Sequence, residues 1–194
     1  MKQKLKNNEL NIIVIFLVAI SLGLVSCKHY QNEDSKDNAQ EHNKAKLNNT
    51  KEAKFLVEAT EISLHQIELA KLAQSNGGSS NIRDMGKMME TDHRQFLMEL
   101  KKIAKSKSVS IPVEATINMI KDKNKLVNKT GNDFDKQYCD MLVEGQKEAI
   151  NKYKSATEDL DETDIKNWAL KTLSAIRNQL DHAITCKEAY KNYM

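Results

Sequence analysis

The stretch Ile82 to Lys105, IRDMGKMMETDHRQFLMELKKIAK, sets the architecture from which the rest of the chain can be read. Ile82, Met85, Met89, Phe96, Leu100 and Ile103 recur at helical spacing and draw one apolar stripe along a long amphipathic helix. Asp92 and His93 sit at the two margins of that stripe, where most helices carry apolar residues. Glu90 lies three residues before His93, so both project to the same side. A Glu-x-x-His pair on a core face is what a bundle-type metal site requires.

Working outward, the same periodicity continues almost without break. Glycine is sparse, the single proline is Pro112, and strand-like alternation is missing. The first helix is expected over Glu52 to Gln74. Ser75 to Ser80 forms a turn and supplies the cap of the second helix, which runs to Ser106. Ser110-Ile111-Pro112 reads as the cap and first turn of a short helix that ends near Asn128. Thr130 to Asp133 breaks the chain before a third long helix, Phe134 to Asp159. Asp161-Glu162-Thr163 connects it to the last, Asp164 to Tyr190. Short connections within each pair imply an all-α fold, an antiparallel four-helix bundle with a short extra helix in the crossover. The bundle domain is expected over residues 51–191.

The chain before it reads differently. Residues 1–26 combine a basic start (Lys2, Lys4, Lys6) with an apolar run, Leu10 to Ile20, too short for a comfortable permanent span. The run ends in Leu24-Val25-Ser26-Cys27, which resembles a bacterial lipobox. The resemblance implies a cleaved signal peptide and a lipid on Cys27, so that the membrane is one partner. Lys28, rather than Asp, follows the cysteine, which resembles the default for outer-membrane lipoproteins, with the domain in the periplasm or at the surface. Residues 27–50 are expected to be the lipidated cysteine and a disordered polar tether, since so few aliphatic residues cannot offset ordering entropy. Removing residues 1–26 takes away three lysines and one glutamate, so the formal charge falls from +3 to +1. No basic block remains and aromatics are 5% of the chain, which argues against nucleic-acid binding.

In the first helix Glu61, His65 and Glu68 fall on one narrow stripe. Counting from the turns at 1.5 Å per residue places His65, Glu61 and His93 in one layer of the bundle. Gln146 and Gln179 reach a matching height in the last two helices, inside apolar arcs, and are expected to form a polar core layer. Phe55 to Ala73 with Glu68, Met88-Met89-Glu90-Thr91-Asp92-His93, and Phe134-Asp135-Lys136-Gln137-Tyr138 together resemble the bacterial domain of unknown function 4142. The resemblance spans Lys51 to Tyr190 and implies an exported protein with a ferritin-like bundle and no settled activity. Many members carry histidines where this chain has Gln146 and Gln179, and glutamine is a poor ligand for transition metals.

Two classes of function follow. The first is a membrane-anchored envelope protein with a non-catalytic bundle that binds partners or supports stress tolerance; no cofactor is expected and the protein partner is unknown. The alternative is a ferritin-like metal-binding or redox protein. Its site lies between the first two helices, with a transition metal held by Glu61, His65, Glu68, Glu90, Asp92 and His93, and with His182 offered from the last helix. No phosphate loop and no nucleophile-base arrangement is present in the sequence. Met85, Met88, Met89 and Met98 read as adaptable core filling.

Cys139 lies seven residues before Gln146, and Cys186 seven after Gln179. In antiparallel neighbours these offsets place both sulfurs in one layer, and an exported compartment permits a disulfide. The bond requires close packing, because bundle axes lie about 8–10 Å apart.

Overall fold

The structure, a computed structural model, describes residues 34–45 and 50–190; the signal peptide expected over residues 1–26 and Cys27 lie outside them. Six helices follow in order among the described residues: α1 (Ser35–Ala45), α2 (Lys51–Asn76), α3 (Ser80–Ser106), α4 (Ile117–Leu126), α5 (Gly131–Asp159) and α6 (Thr163–Ala189). The four long ones form an all-α bundle of two hairpins, α2–α3 and α5–α6. Phe55 meets Tyr153 at one end of the α2–α5 seam, and Gly77 meets Gly131 at the other, so these helices run antiparallel. On the α3–α6 seam Glu99 meets Trp168 and Ser79 meets Tyr190, with the same consequence. α3 and α5 therefore run the same way, and residues 107–130 must travel the length of the bundle between them. α4 lies on that path.

Local chemistry explains the helix ends. Thr50 caps α2 through Ala53 N, Ser79 caps α3 through Ile82 N, and Thr116 caps α4 through Met119 N. The short helix thus starts at Ile117, not at Pro112. Pro112 is buried in the extended connection before it, where its fixed φ and missing N–H are tolerated. Thr130 gives α5 no side-chain cap. The chain instead reaches α5 through Gly131, at φ +59°, a region that favours glycine. A Cβ on Gly78 would come within 2.7 Å of Gly131 Cα, so Gly78 is required by close approach, whereas Gly131 has open space and is required by its φ.

A second correction concerns the tether. Residues 35–45 are not a disordered linker but α1, which packs on the bundle. An isolated helix of this length is marginal in water, and its composition buries little. Long-range polar contacts hold it instead. Asn43 is buried and exchanges two hydrogen bonds with Ser110, donating to the carbonyl at 2.9 Å and accepting from the amide at 2.8 Å. At the other end Ser35 Oγ accepts from the Val113 and Glu114 amides, and Asp34 accepts from the Ile117 amide at 2.7 Å. These partners lie about 70 to 80 residues away in sequence, which is why composition alone misleads here.

The core divides in two. One apolar cluster includes Phe55, Leu56, Phe96, Tyr153, Trp168 and Ile176. The other includes Leu69, Met89, Phe134, Tyr138, Leu142 and Ala183. No helix among the described residues is long and apolar enough to cross a membrane.

Candidate functional site: a polar layer between two apolar clusters

Each long helix changes cluster at a polar residue. α2 passes from Ala59 to Leu69 through Thr60, Ser63 and Gln66, and α3 passes from Met89 to Phe96 through His93. α5 passes from Val143 to Ala149 through Gln146, and α6 passes from Ile176 to Ala183 through Gln179. All of these polar residues are buried. Thr60 and Ser63 satisfy themselves by donating to the carbonyls of Leu56 and Ala59, one turn back. The others do not. Both ring nitrogens of His93, both amide atoms of Gln146, and the amide oxygens of Gln66 and Gln179 have no hydrogen-bond partner among the described residues. The Gln179 amide nitrogen donates to Asp92 Oδ2 at 2.9 Å.

Burial sets the charge of this layer. It pushes the His93 imidazole down to about 3, against a smaller opposing pull from the Gln179 amide. His93 is therefore neutral at physiological pH, with the Phe96 ring edge-on at 5.2 Å. It has no carboxylate partner to orient it, which a general base normally requires.

The stripe of Glu61, His65 and Glu68 shares the height of this layer but not its face. Glu61 pairs with Lys36 of α1 at 2.5 Å and accepts from Thr116 Oγ1. Burial disfavours the Lys36 charge, yet the hydrogen bond and the attraction from Glu61 outweigh it and raise the Lys36 pKa. His65 Nε2 lies 3.3 Å from Asp122 Oδ2 of α4, without the alignment of a hydrogen bond. Burial lowers its pKa, and Asp122 opposes. Glu68 is held down by Lys71 and assisted by Lys123. Glu61 and His65 border a groove of about 990 Å³ between α2, α4 and α5, and Glu68 lies outside it. None of the three converges with His93. Glu90 instead accepts from Gln74 at 2.6 Å and from Arg94, which keep its carboxyl below the usual range. His182 is exposed.

The seven residues expected to ligate a metal are therefore spread over separate places. No group of three or more His, Cys, Asp or Glu is arranged to hold a metal among the described residues. All four carboxylates among them are committed to donors on neighbouring helices: Glu61 to Lys36, Glu68 to Lys123, Glu90 to the Gln74 amide and Asp92 to the Gln179 amide. Neutral amides occupy the interior at Gln146 and Gln179. The residues present do not fit a resident transition metal between α2 and α3. The height argument failed on rotation: a stripe beside the core-facing one is equally well covered by α1 and α4.

One polar site gave no sign of its role in the sequence. Asp135, fully buried at the start of α5, accepts from the Gly78 amide at 2.8 Å, the Ser79 amide at 3.0 Å and the Tyr190 hydroxyl at 2.7 Å. Arg83 donates to the carbonyls of Gly77 and Gly78 from the other side. The Phe-Asp-x-x-Tyr motif is thereby explained as a clamp that ties the α2–α3 turn to α5 and α6. Phe134 and Tyr138 stack beneath it with centroids 5.7 Å apart. Near this end Cys139 and Cys186 form a disulfide with Cα atoms 5.7 Å apart, inside the range such a bond needs.

The bundle, its polar layer and its Asp135 clamp define a class: all-α helical bundles with a buried polar layer between two apolar clusters. The profile described as "Domain of unknown function (DUF4142)" matches residues 37–185, well over half of the chain, and the chain belongs to that family. The match begins inside α1, in keeping with α1 being part of the domain. No curated protein and no solved structure is significantly similar to the chain.

Proposed function

We propose that this family member is a lipid-anchored protein of the bacterial cell envelope, with a bundle that works by binding and not by catalysis. The observation that carries the proposal is the order of the first 27 residues: lysines, an apolar run, then Leu24-Val25-Ser26-Cys27. Cleavage before Cys27 and acylation of its thiol and amine would leave a firm anchor, because each buried methylene contributes about 0.8 kcal/mol. The binding role draws support from the way the polar candidates are used. Glu61, Glu68, Glu90 and Asp92 each hold a neighbouring donor and leave no pair poised for acid-base work. A protein partner or a contribution to envelope stress tolerance suits such a module, and this reading assigns it no cofactor. Outer-membrane sorting with the domain in the periplasm or at the surface follows from Lys28 after the cysteine.

The test is the mass and partitioning of the protein expressed in a bacterial host, beside Cys27→Ser. The wild type should lose residues 1–26, gain the mass of acyl chains and enter the detergent phase. Cys27→Ser should remain an unprocessed precursor or leave the membrane fraction. Equal masses and equal partitioning would overturn the anchor. A reproducible stoichiometric metal in the soluble domain, purified without chelator, would overturn the non-catalytic reading.

A further inference from the structure

Seven large hydrophobic side chains are notably exposed among the described residues, and four of them lie on the crossover. Val113 is 77% exposed, Ile117 47%, Ile120 49% and Val127 42%. α4 turns Met119 and Leu126 into the bundle, with Asp122 and Lys123 reaching His65 and Glu68 on the same side. Its opposite side therefore carries Ile117, Ile120 and Val127, at helical spacing and in line with Asn124. Lys121 and Lys125 stand exposed beside them, and residues 117–129 hold four lysines against one aspartate. This is an apolar stripe flanked by positive charge, the composition that suits an interface of anionic headgroups and acyl chains.

The chain's own start says what lies near this face. Asp34 and Ser35 are hydrogen-bonded to the backbone amides of Ile117, Val113 and Glu114, within the patch itself. Only six residues, and so seven Cα-to-Cα steps, separate Cys27 from Asp34. Even fully extended they reach about 25 Å, and a flexible coil of that length reaches about 15 Å. A lipid on Cys27 would therefore hold this face, rather than any other, close to the bilayer.

Resting on the lipid-anchor reading of Cys27, we propose that Val113, Ile117, Ile120 and Val127, with Lys121 and Lys125, dock on the phospholipid surface in which Cys27 is anchored. The bundle then lies with α4 against the membrane and α3 and α6 away from it. Its orientation is set by two signals, one covalent and one from a basic apolar face. Association of a second copy through the same face is the competing occupant.

The test uses the full acylated protein in vesicles of phosphatidylethanolamine and phosphatidylglycerol that contain nitroxide-labelled lipid. Asn124→Cys, in the patch, and Leu170→Cys, exposed on α6, each receive an environment-sensitive fluorophore. The label reads a single site, since Cys27 is acylated and Cys139 and Cys186 are paired. Lipid quenching at position 124 should be at least about threefold stronger than at 170. Adding Ile117→Ser and Ile120→Ser should reduce it at least about twofold without shifting the unfolding midpoint, because both side chains are exposed. Equal quenching at both positions in a protein that still floats with vesicles overturns the docking face and leaves the anchor intact. Failure to float, with no acyl mass on Cys27, overturns both. Protection of position 124 without vesicles, with a doubled mass in solution, assigns the face to self-association and overturns docking.

Discussion

Asp135 and His93 are both buried polar side chains, yet the bundle treats them in opposite ways. Asp135 stands where two helix connections meet, and three donors from the α2–α3 turn and from α6 converge on it. Chain ends and turns leave backbone amides unused, so a carboxylate there finds partners. His93 stands mid-helix among side chains only, where every backbone group is already spent on the helix. Neither ring nitrogen has a hydrogen-bond partner among the described residues, the Gln179 amide exerts only a small opposing pull, and burial lowers the proton affinity instead. The difference teaches that buried polarity in this fold is cheap at the ends of the bundle and costly in its middle.

Removing the clamp should have the largest effect. Asp135→Ala leaves the Gly78 and Ser79 amides and the Tyr190 hydroxyl without their acceptor, and hydrogen bonds to charged groups contribute about 1.5–3 kcal/mol each. A loss of about 3–5 kcal/mol in urea unfolding is expected, with Asp135→Asn losing roughly half of that. A loss under 1 kcal/mol would remove the clamp from the account.

Acid should expose the other side of the comparison. His93 binds a proton in the unfolded chain near pH 6.5 but in the folded one only near pH 3. The unfolded state therefore holds more protons between these limits. Its contribution to stability is complete above pH 6.5 and lost as the pH falls, by about 1.4 kcal/mol per unit across that window. His65, also pushed down by burial, adds a contribution of the same sign. The readout is thus the difference between wild type and His93→Leu, whose stability between pH 6.5 and 4.5 should fall less steeply by one proton. Parallel curves would mean that His93 is not buried in solution.

The smallest effects should come from the two glutamines, and with opposite tendencies. Neither amide atom of Gln146 has a partner among the described residues, so Gln146→Leu should stabilise by about 1 kcal/mol. Gln179→Leu removes the donor to Asp92 along with an unpartnered oxygen, and should fall within about 0.5 kcal/mol of wild type. Urea midpoints for the two variants check the ordering. A Gln146→Leu protein less stable than wild type by 2 kcal/mol would show that its amide is satisfied in solution.

Much of the fold was legible because a helix writes itself locally. The four long helices stand within a few residues of where the spacing of Ile82, Met89, Phe96 and their counterparts places them, and Ser79 caps α3 from the expected turn. The site was legible only in part. The polar interruptions at His93, Gln146 and Gln179 show in the sequence as breaks in apolar arcs. The rotation of Glu61, His65 and Glu68 away from them does not show, because a margin covered by α1 and α4 has the same periodicity as one covered by α3.

What the sequence by itself determined about this protein is what neighbours at three and four residues can encode: helix spans, apolar stripes, caps, and a signal-like start ending at Cys27. Tertiary structure alone decided which polar margin faced inward, that the polar residues 35–45 would be held as a helix, and that Asp135 would gather its donors. The physical reason is distance along the chain. Asn43 meets Ser110 across 67 residues, and Gly78 meets Asp135 across 57. A hydrogen bond of that kind exists only once the helices have packed, because nothing in either local segment specifies its partner.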